Sequence, residues 1–140
     1  MRADDVIGVW QLASYVEREP DGSTSVGPLG PDPVGVLIYS EHGRMSVSMM
    51  RTGTAADATT FMGYAGTWRL DGDRVLHRVE VSAHAFQVGT ELVRQARVDG
   101  DSLTLRGTSV IDGRPRHREL NWRRAPAAAH LSTEEKAAHT

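Results

Sequence analysis

Two residues in the middle of the chain combine reactive side chains with a spacing that aims them at a common space. His77 lies in Val75-Leu76-His77-Arg78-Val79-Glu80-Val81-Ser82. In a strand alternate residues share a face. His77, Val79 and Val81 form one set; Leu76, Arg78, Glu80 and Ser82 form the other, more polar set. His77 is therefore expected inside, among valines. Burial penalises the imidazolium and keeps the ring neutral. A neutral ring suits a general base or a hydrogen bond to a ligand. It equally suits a core histidine satisfied by a tyrosine or a backbone carbonyl. Arg94 passes the same test, since Leu92, Arg94, Ala96 and Val98 alternate with Glu91, Val93, Gln95 and Arg97. An inward arginine must find a partner. That partner is either a carboxylate of the protein or a carboxylate, enolate or phenolate of a ligand, for which the planar guanidinium fork is suited.

The wall around such a pair can be read from neighbouring segments. Tyr64 and Trp68 share a face, with Met45 and Met49 expected opposite them. Tyr39 is harder to place, because Val36 and Ile38 compete with Leu37 and Tyr39 for the inside. Phe61 falls in Thr52–Met62, where strand alternation breaks around Ala55-Ala56-Asp57-Ala58. That segment is expected to form a short helix or lid over the opening, with Phe61 or Met62 turned towards it. Aromatic and methionine linings are ordinary core, and around a cavity they are also a pocket wall.

Other chemistry finds little support. The six histidines (His42, His77, His84, His117, His130 and His139) lack metal-site spacing, so no metal is expected. Neither a phosphate-binding Gly-x-x-x-x-Gly-Lys loop nor a Gly-x-Ser-x-Gly elbow is present, and no cofactor is expected. The chain has no cysteine, which removes disulfides and thiolate chemistry. Net charge is −2 and the basic residues are scattered, so nucleic acid is not an expected partner. No apolar run approaches the ~20 residues of a membrane span. The start, Met1-Arg2-Ala3-Asp4-Asp5, lacks the apolar core of a leader. These features predict a cytoplasmic protein, monomeric or homodimeric, that does not engage membranes.

The elements that must hold His77 and Arg94 are strands. Asp21-Gly22, His42-Gly43, Asp71-Gly72, Asp99-Gly100 and Asp112-Gly113 are tight-turn signals. Between them eight strands are expected: about Gly8–Glu19, Gly35–Tyr39, Arg44–Met50, Tyr64–Leu70, Val75–Ser82, Glu91–Val98, Leu103–Thr108 and Arg116–Arg123. In the first, Trp10, Leu12 and Val16 are expected on the inner face. Ser25–Pro33, dense in Pro and Gly, reads as a loop. Eight strands close a barrel just wide enough for side chains or one small ligand. Gly8-Val9-Trp10 near the start and Leu120-Asn121-Trp122-Arg123-Arg124 near the end predict that the first and last strands meet. The barrel is expected over residues 1–124. Residues 125–140 read as a tail, with a capping box at Ser132-Thr133-Glu134-Glu135 that allows a short helix over Thr133–His139.

The ordered set of motifs resembles the bacterial lipocalin-like domain family over roughly residues 6–124. It runs from Gly8-x-Trp10-x-Leu12 through Pro28-Leu29-Gly30 to Gly35-x-Leu37-Ile38-Tyr39-Ser40 with Gly43-Arg44-Met45-Ser46. It continues in Tyr64-Ala65-Gly66, Val75-x-His77-x-Val79-x-Val81-Ser82, Gly89-x-x-x-x-Arg94, Gly100-Asp101-x-Leu103-x-Leu105 and Leu120-x-Trp122-x-Arg124. The resemblance implies an all-β, eight-stranded, antiparallel up-and-down barrel, closed at one end by Trp10 and a C-terminal arginine. It also implies a small, largely apolar ligand, with isomerisation or cyclisation in some such barrels. The combined expectation is a hydrophobic metabolite whose apolar body meets Met45, Met49, Tyr64 and Trp68 and whose polar oxygen meets His77 and Arg94. Three readings compete: a cofactor-free isomerase or cyclase of secondary metabolism, a non-catalytic carrier or sensor using the same pocket, and a protein-interaction module whose interior is simply packed.

Overall fold

The structure is a computed structural model that describes residues 1–53 and 56–128; the side chain of Ile111 is not described. The expected tail helix at Thr133–His139 lies outside the described residues. A four-residue helix, α1 (Ala3–Val6), precedes nine strands: β1 (Gly8–Arg18), β2 (Thr24–Val26), β3 (Val34–Tyr39), β4 (Arg44–Met50), β5 (Phe61–Asp71), β6 (Arg74–Ser82), β7 (Glu91–Asp99), β8 (Ser102–Ile111) and β9 (Arg114–Arg124). Among the described residues, no helix is long and apolar enough to cross a membrane.

The chain winds up and down. Each strand from β4 to β9 pairs antiparallel with its predecessor, and β3 pairs with β1. Pairing of β1 with β9 then closes eight strands into a barrel, as the turn spacing led one to expect. The ninth strand is the short β2, which pairs only with β1, at Val16–Val26, Glu17–Ser25 and Arg18–Thr24. Thus the start of the expected Ser25–Pro33 loop is a strand. The rest of that segment is irregular, as expected, and buries Leu29.

Inward side chains form one continuous core through the barrel, including Trp10, Leu37, Tyr39, Val75, Leu103 and Trp122. Two β-bulges decide which residues belong to it. In β1, Leu12 pairs with Trp122 and Ser14 with Asn121, so Ala13 is an extra residue. A bulge inserts one residue and reverses the face of everything after it. Val16, expected inside with Trp10 and Leu12, is displaced by Tyr15, which is buried. In β6, Ala65 pairs with Val81 and Gly66 with Val79, leaving Glu80 extra. Val81, expected beside His77 and Val79, is consequently 66% exposed. Gly66 is required at this second bulge, because a Cβ there would sit 1.8 Å from the Arg78 carbonyl oxygen.

The lid expectation is only partly met. Within Thr52–Met62, Ala58–Thr60 make one 3-10 turn, capped by the Asp57 carboxylate, which accepts from the Thr59 amide at 2.8 Å. Phe61 and Met62 already belong to β5. A second 3-10 turn, Ala85–Gln87, lies in the β6–β7 connection.

Candidate functional site

Strand register brings the two chemical candidates together. His77 pairs with Trp68 on β5 and Leu92 on β7, while Arg94 pairs with Val75. His77 and Arg94 are therefore diagonal neighbours on adjacent strands, and both line a cavity of about 70 Å³ inside the barrel. Met49, Met62, Tyr64, Tyr15, Leu120 and Trp122 contribute to the same wall. Larger clefts elsewhere lie on the barrel exterior: one at Arg18, Arg106 and Glu119, another at Val36, Met50 and Phe61.

His77 is 2% exposed and both ring nitrogens are engaged. Nε2 lies 2.6 Å from the Tyr39 hydroxyl and Nδ1 lies 2.6 Å from the Tyr64 hydroxyl. Burial first, and then the nearby Arg94 charge, lower its pKa from 6.5 to about 3. The ring is therefore neutral near pH 7, with one nitrogen donating and the other accepting. Donor satisfaction assigns the tautomer. Tyr39 is 1% exposed and has no hydrogen-bond partner except His77 among the described residues, so its O–H must donate to Nε2. The proton then sits on Nδ1, which donates to the Tyr64 oxygen. This leaves the Tyr64 O–H as a donor turned over to the cavity. Burial holds both tyrosines protonated: Tyr39 is raised well above 10, and Tyr64 is raised despite the opposing Arg94 charge.

Arg94 is held by shape rather than by an acid. Its guanidinium crosses Gly107 on β8, where a Cβ would meet Nη1 at 2.9 Å. Its one hydrogen bond among the described residues is a long one, 3.3 Å, to the neighbouring Val93 carbonyl. No ion pair to Arg94 occurs among the described residues. The buried acid Glu119 faces the outer wall, where Arg18 and Arg106 occupy it at 3.0 and 2.9 Å.

The expected wall residues divide. Met49 and Tyr64 line the cavity. Tyr39 lies behind His77 and supports it. Trp68 packs on Tyr39 at 5.0 Å and donates to the Ser40 carbonyl, and Met45 is buried core; neither lines the cavity. Phe61 is on the outer face, 38% exposed in the exterior cleft, because β5 begins at Phe61 and turns Met62 inward instead. Sequence reasoning missed Tyr15, which the Ala13 bulge turns inward, and Trp122, which was assigned to closure alone. It also missed His84 and Gln87, which reach the wall from the second 3-10 turn. No periodic signal marks a one-turn connection.

No group of three metal-ligating side chains is present among the described residues. No curated protein matches the chain. One similar solved structure is the siderocalin Ex-FABP, described as functioning through dual ligand specificities. It is 10% identical, with 96% of this chain and 77% of that one covered and a TM-score of 0.38. The model of the lipocalin-like domain family matches residues 7–60 and 51–125, which together span the whole barrel. The chain belongs to the lipocalin-like domain family.

Proposed function

We propose that the barrel binds one small, largely apolar molecule in its interior and fixes it through a single acceptor oxygen. The observation that carries this reading is the polar corner of an otherwise apolar cavity: the Tyr64 O–H and the Arg94 guanidinium, neither matched by an acid among the described residues. Apolar walls with a few convergent polar groups are the usual composition of a small-molecule site. Membership in the lipocalin-like domain family is consistent with a hydrophobic ligand.

The cavity is about half the ~150 Å³ of an engineered apolar cavity that admits benzene. Binding of a metabolite therefore requires the wall to yield. Met49 and Met62 are suited to this, being unbranched and adaptable. A carrier or sensor role follows directly. Isomerisation or cyclisation draws less support, because both His77 nitrogens are engaged and the ring has little basicity left. Any proton would have to pass through the Tyr64 oxygen.

The test is titration of the full chain with a panel of small apolar oxygen-bearing compounds, followed by tryptophan fluorescence and thermal unfolding. A binder whose affinity drops in Tyr64→Phe supports the reading. A panel that leaves both signals unchanged speaks for a packed interior.

A further inference from the structure

Besides the Tyr15 hydroxyl and the His84 ring, the cavity wall carries polar groups that can only be read as donors, and they narrow the ligand of the reading above, on which this inference rests. Three stand out. The Tyr64 O–H is free once His77 donates to its oxygen. The Arg94 guanidinium has five N–H groups, one long contact to a carbonyl and the Tyr64 hydroxyl beside it. Trp122 is 2% exposed, and its Nε1–H has no partner among the described residues. All three are donors. Among the described residues, no aspartate or glutamate lines the cavity. An ammonium would find no counter-charge there and would meet Arg94 at close range. A neutral alcohol would satisfy a donor but leave the arginine without a counter-charge.

The arginine is also placed deliberately. Gly107 leaves the room that the guanidinium occupies, and any larger residue on β8 would push it aside. A salt bridge could have anchored it, but described acids of the sheet serve other arginines: Glu119 serves Arg18 and Arg106, Glu17 serves Arg116 and Arg118, and Glu91 pairs with Arg69. The Tyr39–His77–Tyr64 chain points the same way. Each hydrogen bond in such a series polarises the next. With Tyr39 donating to His77 and His77 donating to Tyr64, the chain increases the donor strength of the Tyr64 O–H that faces the ligand.

We propose that the ligand is an anion, an apolar skeleton ending in a carboxylate, whose oxygens are held by Arg94 and the Tyr64 hydroxyl. The guanidinium fork matches a planar carboxylate in a bidentate way, and charge-assisted hydrogen bonds are the strong ones. Trp122 supplies a further donor, so a second acceptor on the skeleton would be tolerated and not required.

The experiment uses the full chain at pH 7 and two matched probe series, octanoate with octanol and octylamine, and 4-phenylbutyrate with 4-phenylbutanol and 4-phenylbutylamine. Affinities are read by calorimetry and tryptophan fluorescence. Each acid is expected to bind at least about 10-fold more tightly than its alcohol, with the amine weakest. Arg94→Gln should remove that preference while the alcohol's affinity stays within about threefold, and the unfolding curve reports whether the variant is folded. Arg94→Lys should keep part of it, because charge remains and the fork is lost. Equal binding of acid and alcohol, or an Arg94→Gln protein that still prefers the acid, overturns the anion assignment and leaves cavity binding standing. Failure of all six compounds to bind overturns both.

Discussion

The guanidinium carbon of Arg124 lies 4.2 Å from the centre of the Trp10 ring, at the seam where the first and last barrel strands pair. Trp10 is fully buried, and its Nε1–H donates to the Val6 carbonyl at 2.9 Å. Arg124 donates to the carbonyls of Ile7 and Asp5 at 2.9 and 3.0 Å. One ring and one guanidinium thus tie α1, β1 and β9 into a cap. Arg123, the other candidate for this place, pairs with Gln11, one position away on the opposite face.

Trp10→Ala should therefore destabilise the fold by ~3–5 kcal/mol, the scale of large aromatic truncations. Arg124→Ala should cost about 1–3 kcal/mol through its charge-assisted bonds and the lost cation–π contact. Denaturant unfolding checks both. Full stability in Arg124→Ala would show that closure rests on backbone pairing alone.

His77 gives the protein a specific acid sensitivity. Its folded pKa, about 3, is below the ordinary 6.5. Between those values the unfolded chain holds a proton that the folded chain refuses, so stability rises with pH across that window. The contribution is complete above about pH 6.5 and is lost as pH falls, with a slope approaching ~1.4 kcal/mol per pH unit. His77→Gln should flatten that slope between pH 6 and 4.5. Glu119, whose pKa is lowered by its arginine and asparagine partners against the cost of burial, adds a separate loss below its ordinary 4.5 in both proteins. An unchanged slope in the variant would refute the assignment.

The two tyrosines beside His77 should behave differently. Tyr64→Phe removes the donor that faces the cavity and the acceptor of the buried His77 Nδ1–H, so ligand affinity should fall about 10-fold and stability by about 1–3 kcal/mol. Tyr39→Phe leaves a buried ring nitrogen without a partner and should cost about 1–3 kcal/mol of stability, with a smaller effect on binding. Parallel calorimetry and denaturant curves separate the two. An equal loss of affinity in both variants would refute the assignment of Tyr64 as the donor that faces the ligand.

Gly107→Ala tests how Arg94 is held. The new Cβ would lie 2.9 Å from Nη1 and 3.1 Å from Cδ of Arg94. A flexible side chain can give way, so the fold should persist. The guanidinium should move, and affinity for a carboxylate probe should fall several-fold. Wild-type affinity in this variant would show that the position of Arg94 is not critical.

Much of the barrel was legible in the sequence because its signals are local. Asp-Gly and His-Gly pairs mark hairpins, and period-two alternation marks faces. The Trp10 and Arg124 pairing follows from motifs at the two ends of the chain. His77 and Arg94 were legible for the same reason, since each sits in a run whose alternation points it inward.

What only the tertiary structure decided is the register. Alternation counts residues, and a bulge adds one that no composition marks. The extra Ala13 turned Tyr15 inward in place of Val16, and the extra Glu80 put Val81 outside. Phe61 went outward because β5 starts three residues before the alternation becomes visible. The partners of His77 were equally hidden, since Tyr39 and Tyr64 lie 38 and 13 residues away in the chain. Only closure of the barrel brings them to either side of one ring. A side chain's face depends on local backbone count, but its hydrogen-bond partners depend on which strands meet across the interior.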